Sequence, residues 1–430
     1  MRRRLRIGLA FFVLLVLAIG AYVLWAQEPV IAGIRPPPRS AFDPALIETG
    51  ARLAAIGNCA FCHTAPGGAA FAGGRPFPTP FGTIYSPNIS PAPGNGIGRW
   101  SEAAFRRAMR QGVSRRGKHL YPAFPYDHYA KVDDGDVHAL YAFIMTRAPV
   151  ETFTPPLQFP LNQRWALTLW NLFFLDRRPF HPDPGRSAEW NRGAYLVTGL
   201  GHCGSCHTPR NVFAAEKSSR PLAGGEVEGW RAPALDAASP APVPWDAAQL
   251  SAYLRHGWDA EHGAAAGPMR PVVDSMAPAD DADLHAIATY LAATPESISP
   301  ARKQRASAAA SRAATTELPA SSEAAAAALF AGACAGCHMG RTAMLPPNGV
   351  NLALSTAIGE ADPRNAIRIL LDGIRPGESG AGPVMPGFDG VFTDAQLVAL
   401  LSYIRAHYGG GPPWADLAAQ VHDIRADRKR

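Results

Sequence analysis

Six cysteines in 430 residues fall into three like groups, and none is left over. They read Cys59-Ala60-Phe61-Cys62-His63, Cys203-Gly204-Ser205-Cys206-His207 and Cys334-Ala335-Gly336-Cys337-His338. Each is the C-x-x-C-H pattern of c-type haem attachment, in which two thiols add to vinyl groups and the adjacent histidine takes one axial site on iron. Zinc ribbons, thioredoxin-like redox pairs and structural disulfides also use paired cysteines. A zinc ribbon sets two pairs close together, whereas more than a hundred residues separate these, and every pair here ends in histidine. The motifs therefore predict three covalently bound haem c groups, with Cys59, Cys62, Cys203, Cys206, Cys334 and Cys337 as attachment points and His63, His207 and His338 as iron ligands.

Several small domains suit a chain of this length, at about 100 to 200 residues each. Its 41 Gly and 41 Pro, with only 18% charged residues, describe a loop-rich chain whose small cores are completed by a large apolar group. The net charge of +6 is modest. With no basic patch interleaved with aromatics, it argues against a nucleic-acid partner.

The N-terminus sets the expected compartment. Arg2, Arg3, Arg4 and Arg6 precede an uncharged run from Ile7 to Ala26, long enough to cross a bilayer as a helix. The positive-inside rule keeps the arginines cytoplasmic. A cleaved signal peptide would have an apolar region of about 7 to 15 residues and an A-x-A-like site, for which Leu24-Trp25-Ala26 is a poor match. Residues 1–26 read as an uncleaved anchor in a bacterial inner membrane, with the remainder exported to the periplasm.

Beyond the anchor, one helical plan recurs three times. A helical stretch precedes each motif, with Gly50, Leu53 and Ile56 before the first and Gly193, Leu196 and Val197 before the second. Amphipathic segments with an acidic start close the repeats, at Asp136–Ile144, Asp283–Leu291 and Asp394–Ile404. The predicted fold class is all-α: three class I cytochrome c-like domains in tandem over 42–148, 187–294 and 322–408. The stretch 295–321, rich in Ala, Ser, Arg and Thr, reads as a flexible linker that lets the third domain move. Residues 409–430 read as a tail whose helix, with Trp414, Leu417, Val421 and Ile424 on one face, is solvated. Between the first two domains Arg164–Phe174 reads as an apolar helix that packs between them in preference to touching a membrane or partner.

The far axial ligands are less uniform. Met385, in Gly382-Pro383-Val384-Met385-Pro386-Gly387, stands in a loop just before the third closing helix. Met339 and Met344 lie too near the attachment site and read as packing residues. In the second repeat Met269, after Gly267-Pro268, is favoured over Met276. In the first, Met109 sits on a helical stretch from Ser101 to Gly112 at a core position. The ligand loop reads Leu120-Tyr-Pro-Ala-Phe124-Pro-Tyr-Asp-His128-Tyr. Phe124 cannot bind iron, so His128, His119 or an open site must complete the first centre, with His128 preferred.

At Thr79-Pro-Phe-Gly-Thr-Ile-Tyr-Ser-Pro-Asn-Ile89, Gly96-Ile-Gly-Arg-Trp100, Leu120-Tyr-Pro-Ala, Arg192-Gly-Ala-Tyr-Leu and Gly267-Pro-Met269, the chain resembles the three-haem cytochrome subunits of membrane-bound bacterial alcohol and gluconate dehydrogenases. The resemblance implies crossed terminal helices in each domain and electron transfer from a catalytic dehydrogenase subunit to ubiquinone or a terminal oxidase. The chain shows no nucleotide-binding glycine loop, no flavin or molybdopterin signature and no nucleophile motif, so the substrate is oxidised elsewhere. Phe124 replaces the methionine of alcohol dehydrogenase cytochromes. That variant looks more like the branch serving molybdenum hydroxylases of aldehydes or N-heterocycles. Partners that are quinoprotein alcohol dehydrogenases or flavin-dependent sugar dehydrogenases are the alternative. A different class of reading makes the first haem a peroxidase or small-ligand reductase centre.

Denaturing mass spectrometry checks the attachment count directly. The polypeptide is expected with three haems and no alkylatable thiol; a two-haem mass or one reactive cysteine contradicts it.

Overall fold

Glycines mark where the terminal helices of the first two repeats cross. The computed structural model describes residues 2–79, 82–293, 300–314, 323–339, 351–377 and 382–428. Helix Pro44–Ile56 begins with proline after Asp43, whose carboxylate accepts from the Ala45 N–H at 2.9 Å. It crosses Asp134–Met145, whose own cap, Asp133, accepts from the Asp136 N–H at 2.8 Å. A Cβ on Gly50 would stand 2.0 Å from the Ala139 carbonyl oxygen, so only glycine lets the backbones meet. The second repeat does the same with helices Ala188–Thr198 and Asp281–Ala293, where a Cβ on Gly193 would lie 1.9 Å from the Ala286 oxygen. Arg192 also grips Asp283 through two bonds of 2.8 and 2.9 Å. In the third, Ala324–Ala333 packs on Asp394–Ile404, with Phe330 and Tyr403 rings 5.3 Å apart.

The chain divides into two compact units, Met1–Pro182 with Thr198–His202, and Asp183–Val197 with Cys203–Arg430. In the first unit, the helix Arg2–Trp25 is long and apolar enough to cross a membrane. The chain beyond it is fastened to the first repeat: Arg107 Nη1 donates to the Pro29 carbonyl at 2.7 Å, and the Ile31 N–H to the Arg115 carbonyl at 2.9 Å. Met109, Val137, Leu140 and Phe143 share one buried cluster, so Met109 is a core residue. Helix Ala166–Phe174 is present, as expected. Within this unit it packs on the first repeat through Leu167, Thr168 and Asn171, while Trp165, Leu172 and Phe173 are exposed.

The second unit holds the second and third repeats. Part of the stretch 295–321, expected as a flexible linker, is the helix Pro300–Ala313, with Arg302 and Ala309 buried and the Ala313 carbonyl accepting from Asn351 at 2.8 Å. The repeats also share a junction. The Asn365 side chain accepts from the Arg231 N–H and donates to the Arg231 carbonyl, each at 2.9 Å. The third repeat is thus tied to the second by a side chain that bonds both polar groups of one backbone residue. The C-terminal helix Leu417–Arg428 is not the solvated tail expected, because Trp414, Leu417, Val421 and Ile424 are buried in the third core. Four apolar residues on one face gain more from that core than from water.

Helices dominate, yet short antiparallel hairpins join them, pairing Pro76–Thr79 with Gly82–Tyr85, Gly225–Val227 with Trp230–Ala232, and Trp258–Asp259 with Gly263–Ala264. The fold is therefore helix-rich and not strictly all-α.

The crossings are testable by overpacking. Gly50→Val and Gly193→Val are each expected to cost about 3 kcal/mol, read as a lower thermal midpoint of the holoprotein. Gly332→Ala, where a Cβ meets nothing within 4 Å, should leave stability unchanged or raise it by up to about 1 kcal/mol.

Candidate haem sites

The first two attachment histidines are held alike. Cys59–Cys62 forms one helical turn, and the chain after His63 loops round so that the Pro87 carbonyl lies 2.8 Å from His63 Nδ1. In the second repeat the Pro233 carbonyl lies 2.7 Å from His207 Nδ1. In this arrangement Nδ1–H donates to the carbonyl and Nε2 carries the lone pair that binds a metal. Burial lowers the pKa of both imidazoles, which keeps them neutral and able to coordinate. His338 closes the turn Ala335–His338. Residues 340–350, including Met344, lie outside the described residues.

The thiols also suit thioether attachment. None of the six is joined to another as a disulfide. Burial pushes Cys59 and Cys203 up to about 12 and Cys334 to about 11, marking apolar surroundings. An apolar setting with paired thiols and an imidazole whose Nδ1 is engaged fits haem c.

The motifs singled out in the sequence build the carbonyl that holds His63. Asn88, next to Pro87, is buried, donates to the Val150 carbonyl at 2.6 Å and accepts from the Ser90 N–H at 2.9 Å. A Cβ on Gly96 would lie 2.3 Å from the Ser90 oxygen, and one on Gly98 would lie 2.1 Å from the Pro91 oxygen. The role of Pro87 and Pro233 was missed in the sequence, since a backbone atom supplies it. The signal available was a proline about 25 residues after each histidine.

On the far side a second device recurs. Helices Glu102–Gln111, Ala247–His256 and Arg364–Asp372 each end at a positive-φ glycine: Gly112, Gly257 and Gly373. The next residue bridges back to a returning strand, pairing Val113 with His119, Trp258 with Ala264, and Ile374 with Met385. Counting from those bridges, Phe124 and Met269 both fall five residues on, so Phe124 stands where the second repeat has Met269. Met385 stands at the bridge itself, a different register. Met276 is a buried core residue, whereas Met269 and Met385 are only partly buried. Met339 accepts from the Tyr408 hydroxyl at 3.0 Å, a packing role.

Around the first site Phe124 lies edge-on to Tyr129, ring centres 5.2 Å apart, and the Tyr129 hydroxyl feels both Cys59 and Cys62 after the larger effect of burial. His128 is buried, with Nδ1 2.9 Å from the Thr198 carbonyl. An iron bond from His128 would therefore run through Nε2. His119 Nδ1 lies 3.3 Å from the Asn171 amide nitrogen, and burial lowers its pKa.

Comparison with known proteins gives these sites a context. Residues 47–148 match the family described as Cytochrome c, and 321–404 that described as Cytochrome C oxidase, cbb3-type, subunit III. The chain is 34% identical to the fructose dehydrogenase cytochrome subunit of Gluconobacter japonicus, over 92% of this chain and 85% of that one. It is 36% identical to the gluconate 2-dehydrogenase cytochrome c subunit of Pantoea cypripedii, over 89% and 90%. It is also 44% identical to a nicotinate dehydrogenase subunit of Pseudomonas putida over 94% of this chain, but spans only 34% of that protein's length.

Two substitutions interrogate the first site. His128→Ala is expected to turn one ferric haem from low to high spin. Phe124→Met is expected to raise one reduction potential by on the order of 100 mV. If His128→Ala leaves every spin state and potential unchanged, His128 is not a ligand.

Proposed function

The chain belongs to the family of dehydrogenase cytochrome c subunits, and from that membership we propose that it carries electrons singly from a catalytic dehydrogenase subunit to ubiquinone or a terminal oxidase. Haem c, at the three attachment motifs, supplies the one-electron iron couple that this work requires. The supporting observation is the repeated seat itself, with paired thiols not joined to each other and an imidazole turned by a proline carbonyl at His63 and again at His207.

In this reading three cytochrome domains occupy 42–148, 187–294 and 322–408. His63, His207 and His338 bind iron from one side. Met269 and Met385 complete the second and third centres, and His128 the first. Histidine in place of methionine favours the ferric state, making the first centre the lowest in potential and the natural entry point from a low-potential partner. Residues 1–26 anchor the chain in the inner membrane and leave the haem domains in the periplasm.

The partner we favour is a molybdenum hydroxylase acting on aldehydes or N-heterocycles. Phe124 supports it, as does the greater identity to the nicotinate dehydrogenase subunit than to the fructose and gluconate subunits. A quinoprotein alcohol dehydrogenase or flavin-dependent sugar dehydrogenase is the alternative partner. Phe124 also favours a second reading, an open first iron working as a peroxidase or small-ligand reductase. Rapid carbon monoxide binding to one haem marks that case.

The test is to co-produce the chain with each candidate catalytic subunit and add that subunit's substrate without oxygen. The haem bands are expected to become reduced with a hydroxylase partner and to reoxidise on adding a soluble ubiquinone. Haems that stay oxidised with every partner contradict the proposal.

A further inference from the structure

Helix Ala166–Phe174 has its polarity reversed for a surface helix. Its inward face carries Leu167 together with the polar Thr168 and Asn171, all buried, and Asn171 Oδ1 accepts from the Tyr126 hydroxyl at 2.7 Å. Its outward face carries Trp165, Leu169, Leu172 and Phe173, at the i, i+4, i+7 and i+8 spacing of a single stripe. Trp165 and Leu172 are each 53% exposed and Phe173 is 73% exposed. Water is a poor neighbour for such a stripe, and large exposed apolar patches mark contact with something apolar.

The neighbouring chain says what that is. Asn171 also reaches His119 at 3.3 Å. Two residues before His119, Gly117 is so close to Glu28 that a Cβ there would lie 2.1 Å from the Glu28 carbonyl oxygen. Glu28 follows Trp25, the last residue of the helix long enough to span a bilayer, by three residues, which reach at most about 10 Å. The exposed stripe thus sits within the same unit, close to where the spanning helix ends. Arg177, exposed just beyond the helix, is placed as a cation whose stem lies in an interfacial layer with its head among phosphates, whereas Arg164 turns inward and donates to the His119 carbonyl at 3.0 Å.

We propose that Ala166–Phe174 lies flat in the interfacial layer of the periplasmic leaflet, its Trp165, Leu172 and Phe173 face inserted among lipid, holding the first cytochrome domain against the membrane surface. The inference rests on reading Arg2–Trp25 as a membrane anchor.

The experiment uses full-length holoprotein in membranes and phospholipid carrying a photoreactive diazirine near the glycerol end of one acyl chain. Peptides are then mapped by mass spectrometry. Label is expected on both the anchor and the tryptic peptide 165–177. The pair Leu172→Asp and Phe173→Asp should reduce label on that peptide about tenfold, with anchor label and haem content unchanged. Label on the anchor alone overturns the proposal while the anchor stands. Label on neither removes the anchor reading and this one with it. Label that disappears when a catalytic subunit is co-produced shows the stripe to be a protein interface, which also overturns it.

Discussion

One carbonyl oxygen per site turns the imidazole of His63 and of His207, and much of the surrounding chain is arranged to deliver it. A hydrogen bond of this kind is worth only about 1 kcal/mol net. Its effect is directional: it selects the tautomer and aims Nε2. For Pro87 to stand 2.8 Å from His63 the loop between them must close, and Asn88, Gly96 and Gly98 keep it closed through buried bonds and close backbone approaches. Family motifs that look like functional signatures are, physically, the clamp behind one oxygen atom.

The attachment motifs, the repeated helices and the core role of Met109 were legible because each rests on residue type and spacing, whereas the crossing of those helices followed only from the family resemblance. Gly50 and Gly193 stand on the helix just before their motifs, and a glycine on a buried helix face signals close approach. The proline carbonyls were not legible, since any residue offers a carbonyl and only the folded loop decides which one arrives. The stretch 295–321 read as a flexible linker because alanine and serine carry little core-forming signal, yet alanine is the best helix former, and Pro300–Ala313 is helical. The tail misled in the opposite way: its apolar stripe was noticed, but nothing in a sequence says whether a core lies within reach of Val421.

The far-ligand loops show how a repeat diverges while its frame stays fixed. A positive-φ glycine ends a helix and a bridge turns the chain back in all three repeats. Phe124 and Met269 occupy the same step of that frame, so the two repeats differ there in side chain and not in backbone register. Met385 reaches its position from another register. A methionine in each of two repeats therefore need not mean one backbone position, and alignment by sequence alone blurs the difference.

Asn365 meets Arg231 as one strand meets another, its amide pairing with both the N–H and the carbonyl of a main chain belonging to the neighbouring repeat. Arg364 adds an ion pair to Glu226 on the same hairpin, at 3.1 Å. Contacts of this kind make two modules one cooperative folding unit. If haems fill the second and third repeats as proposed, the gap an electron would cross between them within such a unit is set by architecture, not by diffusion. That hop would then be insensitive to solvent viscosity and crowding, unlike transfer to a tethered but freely tumbling carrier.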